Sequence, residues 1–491
     1  MKILIKSFFA LLGCTFMMSC EQSITFDDEL EAAAARLEVE IESPNTGKEQ
    51  SGVVSVNADL IDFARSALRA SPIVTNARFQ LEAARQQLKE ERSQFQPLLG
   101  LTVEKSNTNQ ALLESSNPSF AGNQSSYPTR DANLRLTQTL FDVPASANIA
   151  RANAVIEART SELTSAEQRV LNTILVRHLE AAEALERVIL AEAETEYFQK
   201  ANAAETRRVD EGDMRPSTRS ATVSELARAR SDLAIARADY AIRVKSFCRL
   251  SDTGVCPLPR QVSLNLVLPR PTPLDEEELA ALESSPDFQV LDANLKAALR
   301  EVDRARTRNW PVLSAYVEAA QRDRGGSLFD GSSLTETVNV GVVFDWQIFQ
   351  GGGVDAAARR EINEAMALDA ERRQVLQERT GELEAAATGL EALWQNDIAL
   401  QTVMAARLRA LRDVEREQSE GAVSELELAL AKLELTRAEV LRRAARRTFL
   451  AATIAREWSI GQLDMKMIDL ISKLAGRTDE AEQTYRMKRL P

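Results

Sequence analysis

Side chains able to do covalent, acid–base or metal chemistry are few in this sequence. It contains one histidine, His178, in the middle of a long run of Ala, Leu, Glu and Arg. A lone histidine on a helix usually packs or faces solvent. No zinc-ligand cluster, phosphate-binding loop or nucleophile elbow accompanies it. The 73 Asp and Glu residues are interspersed with 60 Lys and Arg along helical stretches. Such patterning reads as a solvated ion-pair face. These features predict a protein that is not an enzyme and holds no cofactor or metal. The formal charge of -13 argues against nucleic acid, which needs a basic surface.

Cysteine carries the remaining chemistry. Lys2 and Lys6 precede an apolar run from Ser7 to Met18, a pattern that reads as a secretory signal too short to span a bilayer. Ser19-Cys20 resembles a bacterial lipoprotein processing site. It predicts a signal peptide over 1–19, an acylated Cys20 and an N-terminal lipid tether over 20–56. Leu11-Leu12-Gly13-Cys14 is the better lipobox by residue type, but Lys6 shortens its apolar core. A signal cleaved without lipidation is the third reading. Export would place Cys248 and Cys256 in an oxidising compartment. Their eight-residue spacing across Ser251-Asp252-Thr253-Gly254 could close a disulfide. Two free buried thiols are the alternative.

Very long helices position these groups. Ala145 to Glu211 contains no Gly or Pro, and Ile149, Ile156, Leu163 and Val170 recur every seventh residue. This predicts a coiled-coil-like helix of about 100 Å at 1.5 Å per residue. It ends at Gly212 and returns over Thr218 to Leu250. Upstream, Asn57 to Ala70 predicts a short amphipathic helix, and Ser71-Pro72 an N-cap with Pro at the first helical position. That helix ends near Gln96-Pro97. The period then changes from 3.6 to 2. Leu99, Leu101 and Val103 form one alternating run. Leu134, Leu136 and Leu140 form another, opposite Asn133, Arg135, Thr137 and Thr139. Each is about ten residues, enough for a tilted transmembrane strand. Asn107 to Arg130 reads as a long exposed loop.

The pattern then repeats. Ser285-Pro286 and Trp310-Pro311 reproduce the earlier proline pairs at the same mutual spacing. Leu313, Ala315, Val317 and Ala319 alternate. A loop follows over Asp323 to Leu334, and then Val338, Val340, Val342, Phe344 and Trp346 alternate. A second long helix, with Leu376, Leu383 and Leu390 seven apart, runs to Glu420. It turns at Gly421, where a positive φ is commonly required, and Ser424 to Ile460 returns. The chain therefore reads as a first repeat over 57–250, a Pro-rich linker over 251–273, a second repeat over 274–463 and a polar, mobile tail over 464–491. The fold class is mainly α with membrane β: a duplicated helix–strand–strand–helix unit.

The duplication, the proline at each helix-to-strand junction, Trp346-Gln347-Ile348-Phe349-Gln350-Gly351-Gly352 after the last strand, and the turn Glu420-Gly421-Ala422-Val423-Ser424-Glu425-Leu426-Glu427 together resemble the TolC-like outer membrane efflux family. The resemblance covers about Asn57 to Leu463. It implies a homotrimer in which four strands per chain complete a 12-stranded β-barrel, continued by an α-barrel through the periplasm. It implies an export channel for efflux or type I secretion in the outer membrane. Its partners would be outer membrane lipid, a periplasmic adaptor (membrane fusion protein) and an inner-membrane pump of RND or ABC type. The adaptor would meet the hairpin tips, Gly212, Asp213, Met214 and Arg215 in one and Gly421, Ala422, Val423 and Ser424 in the other. Pro216 and Thr218 depart from the family pattern. Glu427 matches an acidic family position near the periplasmic gate, where three copies would form a cation-binding ring. One more exposed glutamate on an acidic helix is the other reading. The rival for the whole chain is a non-channel periplasmic coiled-coil lipoprotein acting as spacer or adaptor.

Overall fold

The computed structural model describes residues 53–55, 60–114, 124–213, 215–252, 255–265, 267–326 and 331–474. Cys14, Cys20, the signal and nearly all of the tether lie outside the described residues, as do Met214 and residues 475–491. The elements discussed here lie in the unit Val54–Pro491.

In each repeat a helix leads into two strands and then into a long helical hairpin. The first repeat contains α1 (Leu60–Ala70), α2 (Pro72–Ser93), β1 (Leu98–Ala111), β2 (Gln124–Asp142), α3 (Val143–Asp210) and α4 (Pro216–Cys248). The second contains α5 (Glu276–Glu283), α6 (Pro286–Thr307), β3 (Val312–Arg324), β4 (Ser333–Asp345), α7 (Gly353–Ser419), α8 (Glu425–Ser459) and α9 (Met465–Leu474). Asp142 caps α3 by accepting a hydrogen bond from the Ala145 N–H at 2.8 Å. Ser71 and Ser285 do not cap through their hydroxyls. The entry to α2 and α6 rests on the proline that follows, whose fixed φ suits the first helical turn.

The strands pair antiparallel in the order β1-β2-β3-β4. They are longer than the apolar alternation predicted. Asn107–Ala111 and Gln124–Arg130 are strand rather than loop, and Asp323, Arg324, Ser333 and Leu334 belong to strands too. Backbone pairing needs no apolar face, so the ladder continues into polar sequence. Side-chain bonds such as Tyr127 Oη to Gln110 at 3.2 Å help hold it.

Helix α3 is the spine. In the half next to the sheet, α2 and α6 flank it, and α7 lies beyond α6; in the half next to the turns, α4 and α8 flank it, and α7 lies beyond α8. Half of the buried residues of α3 are alanines, among them Ala152, Ala158, Ala181 and Ala191. Small side chains let helix axes approach closely. The main core sits midway, where Leu60 and Phe63 of α1, Ile174 and Leu175 of α3, Phe247 of α4, Phe449 and Ile454 of α8 and Ile468 and Ile471 of α9 meet. The C-terminal segment is therefore not tail from Met465 onward. Ile468 and Ile471 supply one apolar stripe, and burying it against α1 orders the helix.

Candidate functional site

Strand register sorts the sheet residues onto two faces. On one face Leu99, Leu136, Val317 and Val340 lie side by side, and Leu101, Leu134, Ala319 and Val338 form the next row. Leu101, Val103, Val338 and Val340 are 65–76% exposed, so the chain alone covers this face with nothing. A register shift at Leu140 makes it the extra residue, and Phe141 takes its place in the apolar row opposite Leu313. The other face is polar and cross-linked. Glu318 accepts a hydrogen bond from Asn133 at 3.0 Å and pairs with Arg135 at 3.7 Å, while Arg322 pairs with Asp131 at 2.6 Å. Arg135 also lies over the Tyr316 ring, and that ring covers Gly341, where a Cβ would sit 2.9 Å from it. Only glycine fits beneath the ring.

The two hairpin turns share their first half and differ in the second. Gly212 has φ 82° and Gly421 φ 78°, and both turns close by the same bonds. Asp213 N–H donates to Arg208 O and Gly212 N–H to Val209 O. Ala422 N–H donates to Glu417 O and Gly421 N–H to Gln418 O. These are Schellman closures, which explains glycine at both sites. Helix α4 then restarts after Arg215 without a side-chain cap. Helix α8 restarts with a capping box. The Glu427 N–H donates to Ser424 Oγ at 3.2 Å, and the Glu427 carboxylate accepts from the Ser424 N–H at 2.7 Å. Gly212, Asp213, Arg215, Gly421, Ala422, Ser424 and Glu427 are exposed, and Val423 is half-buried. The charge of Glu427 thus also serves a local structural bond.

Cys248 and Cys256 form a disulfide with Cα atoms 5.3 Å apart. His178 is buried, 5.5 Å from the Phe247 ring, with neither ring nitrogen hydrogen-bonded. Burial, helped by nearby Arg260, lowers its pKa to about 4. It is a neutral packing residue.

Ionic groups inside the helical wall escaped the sequence reading, which treated carboxylates as solvated. Asp397 of α7 is buried and accepts hydrogen bonds from Arg442 at 3.0 Å and Arg446 at 2.9 Å, both of α8 and both buried. Burial opposes its charge, but the two guanidinium groups outweigh that and hold its carboxyl below the usual range. Glu186 of α3 is 1% exposed and pairs with Arg447. Burial there wins over the arginine and raises its pKa to about 7. The only sequence cue is the doubled arginine pair Arg442-Arg443 and Arg446-Arg447 on a helix that is otherwise apolar on one side. Among the described residues, no group of three His, Cys, Asp or Glu side chains is placed to hold a metal. No described helix is long and apolar enough to cross a membrane.

The fold has close counterparts among solved channels. The outer membrane channel CmeC of Campylobacter jejuni matches with a TM-score of 0.69 at 15% identity, over 86% of this chain and 90% of that one. VceC of Vibrio cholerae gives 0.64 at 16% identity, over 82% and 96%. The open-state MtrE channel of Neisseria gonorrhoeae gives 0.64 at 19%, over 83% and 90%. The sequence has no significant match among curated proteins. The family model for outer membrane efflux protein matches residues 63–250 and 280–456, the two repeats just described. With most of its length matched, the chain belongs to the outer membrane efflux protein family.

Proposed function

We propose that three copies of this chain close a twelve-stranded barrel in the outer membrane, continued by a helical tunnel into the periplasm, and that the assembly is an export duct. The sheet carries this reading: four strands, an uncovered apolar face and two open edges, β1 and β4. In lipid every backbone donor and acceptor needs a partner, and the smallest membrane barrels need about eight strands. The missing strands must come from other copies. Because the two edges differ, they join head to tail, and such contacts close into a ring. Helix order supports the same seam. Helices α2 and α4 lie on the β1 side of the wall and α7 on the β4 side.

The duct itself has no energy source. An inner-membrane pump of the RND or ABC type, joined by a periplasmic adaptor at the turns Gly212–Arg215 and Gly421–Ser424, supplies it. Cys20 anchors the mature N-terminus in lipid. Three Glu427 carboxylates converge at the periplasmic mouth and bind cations there. Light scattering of detergent-extracted protein tests the assembly: a trimer is expected, and a folded monomer overturns the reading. Planar-bilayer recording with a trivalent cation on the periplasmic side tests the ring. Glu427→Gln keeps the capping box, which accepts Glu or Gln, while removing the charge. Weaker block in this variant is expected; equal block places Glu427 in solvent.

A further inference from the structure

Residues 249–275 cross the turn-proximal wall in the order in which its helices stand side by side, α4, α3, α8 and α7. The disulfide ties Cys256 to Cys248 at the end of α4. Arg260 then lies near His178 of α3. Ser263 and Leu264 offer their carbonyls to Arg446 and Arg442 of α8, the same two arginines that hold Asp397 of α7. Arg270 pairs with Glu391 of α7 at 3.6 Å and lies over the Trp394 ring. Thr272 accepts from Arg456 of α8 at 3.0 Å. Between these ties Cys256, Val262 and Leu268 enter the main core, each 4% exposed or less. A peptide that only had to join two repeats would not need bonds to four helices.

Burial changes abruptly beyond this crossing. The buried residues of α7 end at Asp397, and residues 398–419 contribute none. Beyond Arg442 towards the turn, α8 buries only Ala429, Leu433 and Ala438. Ties between the hairpins beyond the crossing include the Arg437–Glu194 pair at 2.8 Å, which is partly exposed and therefore weak.

We propose that this segment is a transverse belt that locks the helical wall at the level of Asp397 and makes that level the pivot of the second hairpin. The sheet-side wall stays rigid, and α7 and α8 splay only beyond the belt. Asp397 acts through Arg442 and Arg446, so it is a positioning residue. The idea concerns one chain and does not depend on what the assembly exports.

Amide hydrogen exchange of the full-length protein in detergent tests it. In the wild type, peptides of α7 within 398–419 are expected to exchange at least tenfold faster than those within 383–397. Asp397→Asn, and separately the double substitution Cys248→Ser with Cys256→Ser, should raise exchange in 383–397 towards that of 398–419. Core peptides of α3 over 170–179 should stay protected, whereas general destabilisation would raise them equally. Absence of a step at Asp397 in the wild type overturns the belt. So does a step that neither variant moves, or a rise shared by α3. Should the variants fail to fold, reducing the disulfide in the folded wild type asks the same question of the same peptides.

Discussion

The two hairpins have nearly equal outgoing helices, 68 residues in α3 and 67 in α7, but unequal burial. Twenty residues of α3 are buried, as far along as Ala201, against six of α7. Twenty-four residues before its turn glycine the first repeat has Val188, which is 6% exposed, and the second has Asp397. The first hairpin is held by apolar packing along its length. The second is held at one level by buried ions and is loose beyond it. Duplication supplied one architecture, and divergence at a few buried positions made one copy the spine and the other the moving edge.

The largest effect is expected where that difference is concentrated. Asp397→Ala leaves Arg442 and Arg446 buried without their counter-charge. Breaking a buried pair from one side costs about 3–5 kcal/mol, so the denaturant midpoint should fall sharply. Val188→Ala in the other hairpin removes apolar contacts from a packed site. It should cost less, about 1–3 kcal/mol. Equal losses would mean that the two hairpins are held in the same way.

Titration sharpens the comparison further, because the spine carries both strongly shifted groups. The pKa of His178 falls from the ordinary 6.5 to about 4 in the fold, so below pH 6.5 the unfolded chain binds a proton that the folded chain refuses. Stability therefore declines as pH drops from 6.5 towards 4, by up to about 3 kcal/mol. The pKa of Glu186 rises from 4.5 to about 7, so its sign is opposite: stability is full below pH 4.5 and declines as pH rises towards 7, by a similar amount. In the wild type the two slopes largely cancel between pH 4.5 and 6.5. His178→Phe should leave stability falling with rising pH, and Glu186→Gln should leave it falling with falling pH. Denaturant midpoints measured across this window check both. A flat profile in either variant would show that the group it removes does not titrate as its burial requires.

The smallest effect belongs to the turns. Ser424→Ala removes the capping hydroxyl of α8 and should cost about 1 kcal/mol. Arg215→Ala, at the corresponding uncapped position before α4, should cost almost nothing. Thermal unfolding of the two variants side by side measures the difference.

Much of this arrangement was legible before any coordinates. Proline pairs, turn glycines and the change of period fixed the repeats, because each marks a backbone constraint that acts locally. Asp397 was not legible. An aspartate on a charged helix looks solvated until the arginines of α8 and the carbonyls of residues 263 and 264 are brought to it, and they lie 45 or more positions away in one direction and more than 130 in the other. Strand ends were misjudged for a related reason. Polar Asn107–Ala111 has no apolar alternation, but pairing with Gln124–Pro128 extends the ladder regardless. The helix at Met465–Leu474 was hidden because its two buried isoleucines find their partner in α1, some 400 residues earlier.

The order β1-β2-β3-β4 also sets a schedule for biosynthesis. The central pairing joins Thr129–Asp142 to Val312–Arg324, with the whole first hairpin and the belt between them. Closing so long a loop is slow compared with forming the helices on either side. At ordinary synthesis rates of about 5–20 residues per second, the first strand pair waits roughly 10–40 s for the second. Throughout that interval β2 presents an unpaired edge beside apolar side chains, outside any membrane. A chain of this design depends on something in its path that covers a strand edge until the second repeat arrives.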